Sequence, residues 1–213
     1  MAEHPGAALV AERLAAADSR RILLVHGRAG AGKSTVVVGA VGILVEQGWV
    51  PGMVWMDAAG QTSHTAKMLG QAFDLSDSPV VALAAAAAGR PSVLVVDQLD
   101  AVSTYSGRMP DSYDAVTEML EQAAAYPMMK VVLVVRTVDL ENDPRIRHVL
   151  ADENAAASME VGPLSADAVQ RALTDGGIDT RTIDSATLEL LRVPLHLAVF
   201  CRLPRDSQAT PLK

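Results

Sequence analysis

The chain has 213 residues, of which 50% are hydrophobic and 20% charged, with a formal net charge of −7. That composition suits a globular domain with one substantial core. It excludes a disordered chain and argues against a general electrostatic affinity for nucleic acid. The longest apolar tracts, Val80–Ala88 and Val131–Val135, are too short to cross a bilayer, and Met1–Pro5 has neither the basic start nor the apolar core of a secretory signal. The single cysteine, Cys201, leaves no internal disulfide and no cysteine-cluster metal site, so a cytoplasmic location is the default expectation.

In chain order, Leu9, Val10 and Leu14 space a short helix over Ala7–Ala17, and Ile22–His26 reads as the first strand. Thr35–Gln47 reads as a helix, Gly48–Gly52 as a turn and Met53–Asp57 as a short strand. Helical stretches follow at Ser63–Phe73 and at the alanine-rich Pro79–Ala88, before Gly89-Arg90-Pro91 breaks the pattern. Ser92–Asp97 is a continuous apolar strand of the kind buried on both faces of a parallel sheet. Tyr113–Tyr126 has helical spacing, Val131–Val135 is a second wholly apolar strand, and Ser158–Val161 is a short fifth one. Beyond Gly162-Pro163 come small amphipathic helices near Ala166–Thr174, Ser185–Leu191 and Leu195–Cys201. The alternation predicts an α/β fold with helices on both faces of a mainly parallel five-stranded sheet, then a small helical lid. The expected boundaries are a lead-in at 1–19, an α/β core at 20–163, a truncated lid at 164–203 and a tail at 204–213.

Gly27-Arg28-Ala29-Gly30-Ala31-Gly32-Lys33-Ser34 matches G-x-x-x-x-G-K-S, with a strand before it and a helix after it. The pattern suits phosphate binding. Gly27, Gly30, Ala31 and Gly32 let backbone N–H groups turn inward, and the helix start adds a positive dipole end. Lys33 can reach the outer phosphates, while Ser34 and Thr35 follow, with the Ser34 hydroxyl suited to a Mg²⁺ shell.

Asp97 ends a buried strand 64 positions after Lys33 (97 minus 33), where a carboxylate can hold Mg²⁺ through a water. The interval also holds Met53–Asp57, and a strand inserted between the phosphate-loop strand and the acidic strand marks the ATPase branch of these proteins. Asp100 either polarises an attacking water or caps the following turn. Gln98 stands where many such ATPases carry a catalytic glutamate, which points to slow hydrolysis. Arg136 ends the strand Val131–Val135, where a guanidinium either contacts a γ-phosphate or is an ordinary surface arginine. The histidines at 4, 26, 64, 148 and 196 show no ligand spacing, and His26 is expected to pack beside the phosphate loop.

Gly27–Thr35, Val93–Asp100 and Val132–Thr137, in that order, resemble the STAND class of P-loop NTPases, which includes NACHT and NB-ARC domains. The resemblance covers roughly Arg20 to Leu203. It implies a three-layer P-loop NTPase fold that binds ATP or ADP with Mg²⁺. The site residues it implies are Lys33, Asp97, Asp100 and Arg136 for catalysis, Gly27–Thr35 for nucleotide, and Ser34 with Asp97 for the metal. Val161–Ser165 is similar to the start of the class's lid. Arg192–Leu197 is similar to its proline motif, which makes Pro194 a candidate base-binding residue, unless it simply starts a helix. Asp97–Gly107 with Asp139–Asp143 resembles a subset of large bacterial STAND-like ATPases, some linked to phage defence. Such proteins usually continue into a winged helix and a sensor region. The expectation is therefore a slow, nucleotide-dependent regulatory switch, with a protein partner or separately supplied sensor region, no membrane, and a homo-oligomer in the ATP state left open. The alternatives are a small-molecule kinase, and an interaction module that binds nucleotide without hydrolysing it.

Overall fold

The computed structural model describes residues 6–16, 19–59 and 63–203. Met1–Pro5, including His4, the last part of the lead-in and the tail at 204–213 lie outside the described residues. Five strands form one sheet: β1 (Ile22–Gly27), β2 (Val50–Trp55), β3 (Ser92–Asp97), β4 (Met129–Arg136) and β5 (Ala156–Glu160). Their order is β2-β3-β4-β1-β5 and every pairing is parallel. The strand lying between the phosphate-loop strand and the acidic strand is thus β4. The strand within their sequence interval, β2, is an edge strand. It begins at Val50 rather than Met53, so the expected turn is shorter. Pro51 is tolerated because an edge strand leaves one row of N–H groups unpaired.

The sheet is buried on both faces, and the alternation of side chains along each strand divides its residues between them. Leu24, Leu94, Val96, Leu133 and Val135 join one core with α3 (Ala66–Ala72), α4 (Pro79–Ala87) and α5 (Tyr113–Ala123), through Leu69, Val80, Leu83, Val116 and Met119. Their neighbours Leu23, Val25, Val93, Val95, Val132 and Val134 point the opposite way and are also buried. On that side α1 (Gly6–Ala15) packs on α2 (Lys33–Glu46), which contacts β1 and β3. Helix α4 starts on a Ser78 hydroxyl that accepts from the Val81 N–H, with Pro79 at its first position.

The described residues fall into two units. The α/β unit holds residues 6–27 and 33–160; the helical unit holds residues 28–32 and 161–203. In the helical unit α8 (Ala166–Asp175), α9 (Ser185–Leu190) and α10 (Pro194–Phe200) bury Val169, Leu173, Leu191, Leu197 and Phe200 in a core of their own. Arg192 ties this unit's entry together. Its Nε donates to the Leu164 carbonyl, and its own carbonyl accepts from the Leu164 N–H.

Two short helices not read from the sequence, α6 (Thr137–Asn142) and α7 (Pro144–His148), follow β4. They clasp the loop that follows β3. The Asp143 carboxylate is wholly buried, accepts from the Thr104 N–H at 2.7 Å and pairs with Arg145 at 3.1 Å. Arg145 also donates to the carbonyls of Val102 and Pro110 and lies over the Tyr113 ring at 4.4 Å. Burial pushes the Tyr113 hydroxyl up to about 12, so it stays a donor, here to the Arg145 carbonyl. Within the loop, Gly107 lies so close to the Ser103 and Ala101 carbonyls that a Cβ would strike backbone.

Burial alone would raise the Asp143 carboxyl, but hydrogen bonds from Arg145 and Thr104 outweigh it and hold the group far below the usual carboxylate range. A depressed acid stabilises the fold above its unfolded value and loses that contribution as pH falls towards its folded one. Asp143→Ala, which strands Arg145 and the Thr104 N–H, should therefore cost about 3 kcal/mol or more at pH 7 in urea unfolding. The difference from wild type should hold from about pH 5 to 8 and shrink below about pH 4.

Candidate functional site

Parallel pairing aligns the carboxyl ends of β1, β4 and β3 along one edge of the sheet. Gly27 is in register with Arg136, and Val96 with Leu133, so Asp97 and Arg136 end neighbouring strands. Lys33 opens α2, half-buried, and its Nζ donates to the Gly27 carbonyl at 3.0 Å. Burial lowers the proton affinity of this ammonium; Asp100, the strongest opposing charge, pulls it back up. Ser34 and Thr35 stand exposed in the same first turn.

Asp97 is buried at the last position of β3, and one of its oxygens accepts from the Gln98 N–H at 2.7 Å. Gln98 itself has φ +60°, a left-handed conformation uncommon for a side chain without a short polar end. With its amide nitrogen turned toward Asp57, in the turn that follows β2, Gln98 donates to both carboxyl oxygens, at 2.8 and 2.5 Å. The residue at the expected glutamate position is therefore bonded to the turn after the neighbouring strand.

Asp100 and Arg136, expected in separate roles, are joined by an ion pair of 2.9 Å. Burial pushes the Asp100 carboxyl above its ordinary range, and Arg136 only partly offsets it. Arg136 is 47% exposed in this pair. At that exposure the pair contributes no more than about 1 kcal/mol, so a competing anion can displace it. The Asp143–Arg145 clasp resists such exchange, because breaking one side strands a buried charge.

Three residues of this region make contacts that no sequence spacing shows, His26 among them, which the sequence places beside the phosphate loop. His26 bonds Thr137 across β1 and the start of α6, Nδ1 to Oγ1 at 3.1 Å, and burial lowers its proton affinity. Asp139 is wholly buried; one oxygen takes the Ser106 hydroxyl and the other has no hydrogen-bond partner. Leaving a buried acceptor unpaired costs about 1–3 kcal/mol. Asp57 is the third, seen only through its bond with Gln98. The signal available for Asp139 was its place in the first turn after a strand-ending arginine.

The crest of the phosphate loop belongs to the helical unit. Gly30 and Gly32 have φ of +75° and +84°, which side chains rarely adopt. The Leu195 N–H donates to the Gly30 carbonyl at 3.2 Å, and a Cβ on Gly30 would meet the Leu195 Cβ at 3.0 Å. Pro194, the candidate base-binding residue, starts α10 with its ring against Gly32, where a Cβ would meet it at 3.3 Å. Ala31 is buried and its N–H donates to the Arg28 carbonyl. Among the described residues no trio of His, Cys, Asp or Glu is placed to hold a metal. A Mg²⁺ needs few protein ligands, however, and a hydroxyl and a carboxylate such as Ser34 and Asp97 fit its oxygen preference.

The sequence matches the family model described as Novel STAND NTPase 1 over residues 7–180. Similar solved structures include the Walker-type ATPase PABY2304 of Pyrococcus abyssi (14% identity, TM-score 0.59) and AMPPCP-bound DnaA from Aquifex aeolicus (13%, TM-score 0.60). Each alignment covers 94% of this chain, which spans 66% and 62% of those two chains. A FIGL-1 AAA domain is also similar, at 14% identity and a TM-score of 0.55, with 93% of this chain and 68% of that one covered. At these identities the structures establish the fold alone. No curated protein matches the sequence.

If Arg136 is what restrains the Asp100 proton affinity, Arg136→Gln should move the Asp100 carboxyl titration further upward, read by carbon-13 NMR of the labelled carboxyl. A midpoint that stays in place or falls contradicts the pairing.

Proposed function

We propose, for a chain that belongs to the novel STAND NTPase 1 family, that it binds ATP and ADP with Mg²⁺, hydrolyses ATP slowly and acts as a nucleotide-dependent switch. The observation that carries the reading is the alignment, within the α/β unit, of Asp97 and Arg136 at the ends of neighbouring parallel strands, with Asp100 paired to Arg136 and Lys33 at the start of the helix that follows β1. Catalysis of phosphoryl transfer is mostly positioning and charge stabilisation, and two cations with two carboxylates are the groups it needs. Lys33 exchanges the Gly27 carbonyl for phosphate oxygens; Ser34 and Asp97 would hold a Mg²⁺, which would supply charge neutralisation. Asp100 orients the water. Arg136 leaves Asp100 for the γ-phosphate, and that exchange distinguishes ATP from ADP. A similar fold, that of DnaA, has been solved with AMPPCP bound, which supports a nucleotide-binding role for this one.

Slow turnover is supported by the Gln98 side chain, which lacks a basic oxygen and is bonded to Asp57. That same bond favours a second reading, a module that binds nucleotide without turning it over. The switch is supported by the Gly30–Leu195 bond, since a phosphate that rearranges the loop also moves the start of α10. In this reading Pro194 reports the loop as well as any base. A protein partner or sensor region would read the lid, and self-association in the ATP state remains an outcome to measure.

Lys33→Ala removes the charge facing the phosphates, so nucleotide affinity should fall at least tenfold, about 1.4 kcal/mol, by titration calorimetry. Unchanged affinity sinks the assignment. Wild type should turn over fewer than about one ATP per second, and hydrogen exchange across Ala166–Phe200 should differ between ADP and a non-hydrolysable ATP analogue. Faster turnover with identical protection would fit a metabolic enzyme better.

A further inference from the structure

Asp139 is the third residue past Arg136, in the first turn of α6, and its side chain is fully buried. The backbone just before it is tied to the strand that leads into the phosphate loop: Arg136 is in register with Gly27, and Thr137 bonds His26. One carboxyl oxygen takes a hydrogen bond from Ser106 on the clasped loop; the other faces no donor. Buried acceptors without partners are rare, and an unmatched oxygen weakens a fold rather than supporting it. Its negative charge is correspondingly ill-compensated, in a region where low polarisability lets charges act over long distances.

We infer that Asp139 is a specificity-determining residue for nucleotide state: a fixed, half-compensated negative charge behind the γ-phosphate position that disfavours triphosphate relative to diphosphate. The inference rests on the nucleotide reading given above. Burial is the main influence on Lys33, but among the charges that offset it Asp139 registers there after Asp100 and Asp97, so its field reaches the ammonium that would face the outer phosphates. The same charge acts on Asp100, behind burial and Arg136. A γ-phosphate brings extra negative charge into that field, whereas ADP leaves its charge further away. The bias holds the chain in the diphosphate state until triphosphate engages both Lys33 and Arg136.

Asp139→Asn tests this, because the amide oxygen can still accept from Ser106 while the charge is gone. Affinities for ADP and for the methylene-bridged ATP analogue, both with Mg²⁺, should be measured by calorimetry alongside the ligand-free melting temperature. The ratio of ATP-analogue to ADP affinity should rise roughly tenfold, the scale of one like-charge interaction across a buried site. The melting temperature should hold or rise. Ser106→Ala, at an exposed position, removes the one donor and should move the ratio the opposite way. A ratio within twofold of wild type in Asp139→Asn, or equal tightening of both nucleotides, overturns the inference. Should that variant fail to fold, an unchanged ratio in Ser106→Ala overturns it instead. A wild-type chain that binds neither nucleotide defeats the nucleotide reading itself, and the inference with it.

Discussion

Placing β4 between β1 and β3 is the constraint from which the site follows. Parallel pairing points all three carboxyl ends the same way, and the observed register sets Arg136 level with Gly27. A slip of one residue would turn every side chain of β4 to the opposite face, moving Val131, Leu133 and Val135 out of the core they share with α3, α4 and α5. Both faces of β4 are apolar, so close packing on each face, together with the pairing that sets Arg136 level with Gly27, places its terminal arginine. Arg136 then meets Asp100, and the two segments that leave these strands become neighbours.

Those segments differ in how firmly they are held. The loop after β3 is clasped by Asp143 and Arg145 in an arrangement whose disruption strands buried charge, while the ion pair Asp100–Arg136 leaves its guanidinium half exposed. The result is a rigid base carrying an exchangeable tip. That division suits a sensing site, because a phosphate needs to overcome only the weak pair and the strong clasp keeps Asp100 in place when Arg136 leaves. Where triphosphate and diphosphate differ by one anionic group, a pair contributing no more than about 1 kcal/mol is sensitive to the difference and a buried pair is not.

Much of the fold was legible because its core strands are buried on both faces. Val93–Val96 and Val131–Val135 read as unbroken apolar runs, and the phosphate-loop pattern needs only local sequence. Other features were not legible, for definite physical reasons. Helices α6 and α7 are too short to show a repeating apolar face, although Asp143-Pro144 carries the cap-and-proline signature of a helix start. The clasp joins residues 33 to 43 positions apart, which no spacing rule connects. The bond of Gln98 to Asp57 depends on a left-handed backbone at a residue type that rarely adopts it. The β2 boundary slipped because Pro51 reads as turn chemistry, and only its edge position makes it harmless. For the candidate site, the sequence reading names Lys33, Asp97, Asp100 and Arg136, but no spacing in it signals that the last two pair with each other.

The central claim is that Arg136 exchanges Asp100 for the terminal phosphate. Side-chain NMR of the Arg136 guanidinium tests it most directly, comparing the ligand-free, ADP and ATP-analogue states with Mg²⁺. The account predicts one environment shared by the ligand-free and ADP states and a distinct one with the ATP analogue, the latter absent in Lys33→Ala. An Arg136 signal that is the same with ADP and with the ATP analogue would contradict it.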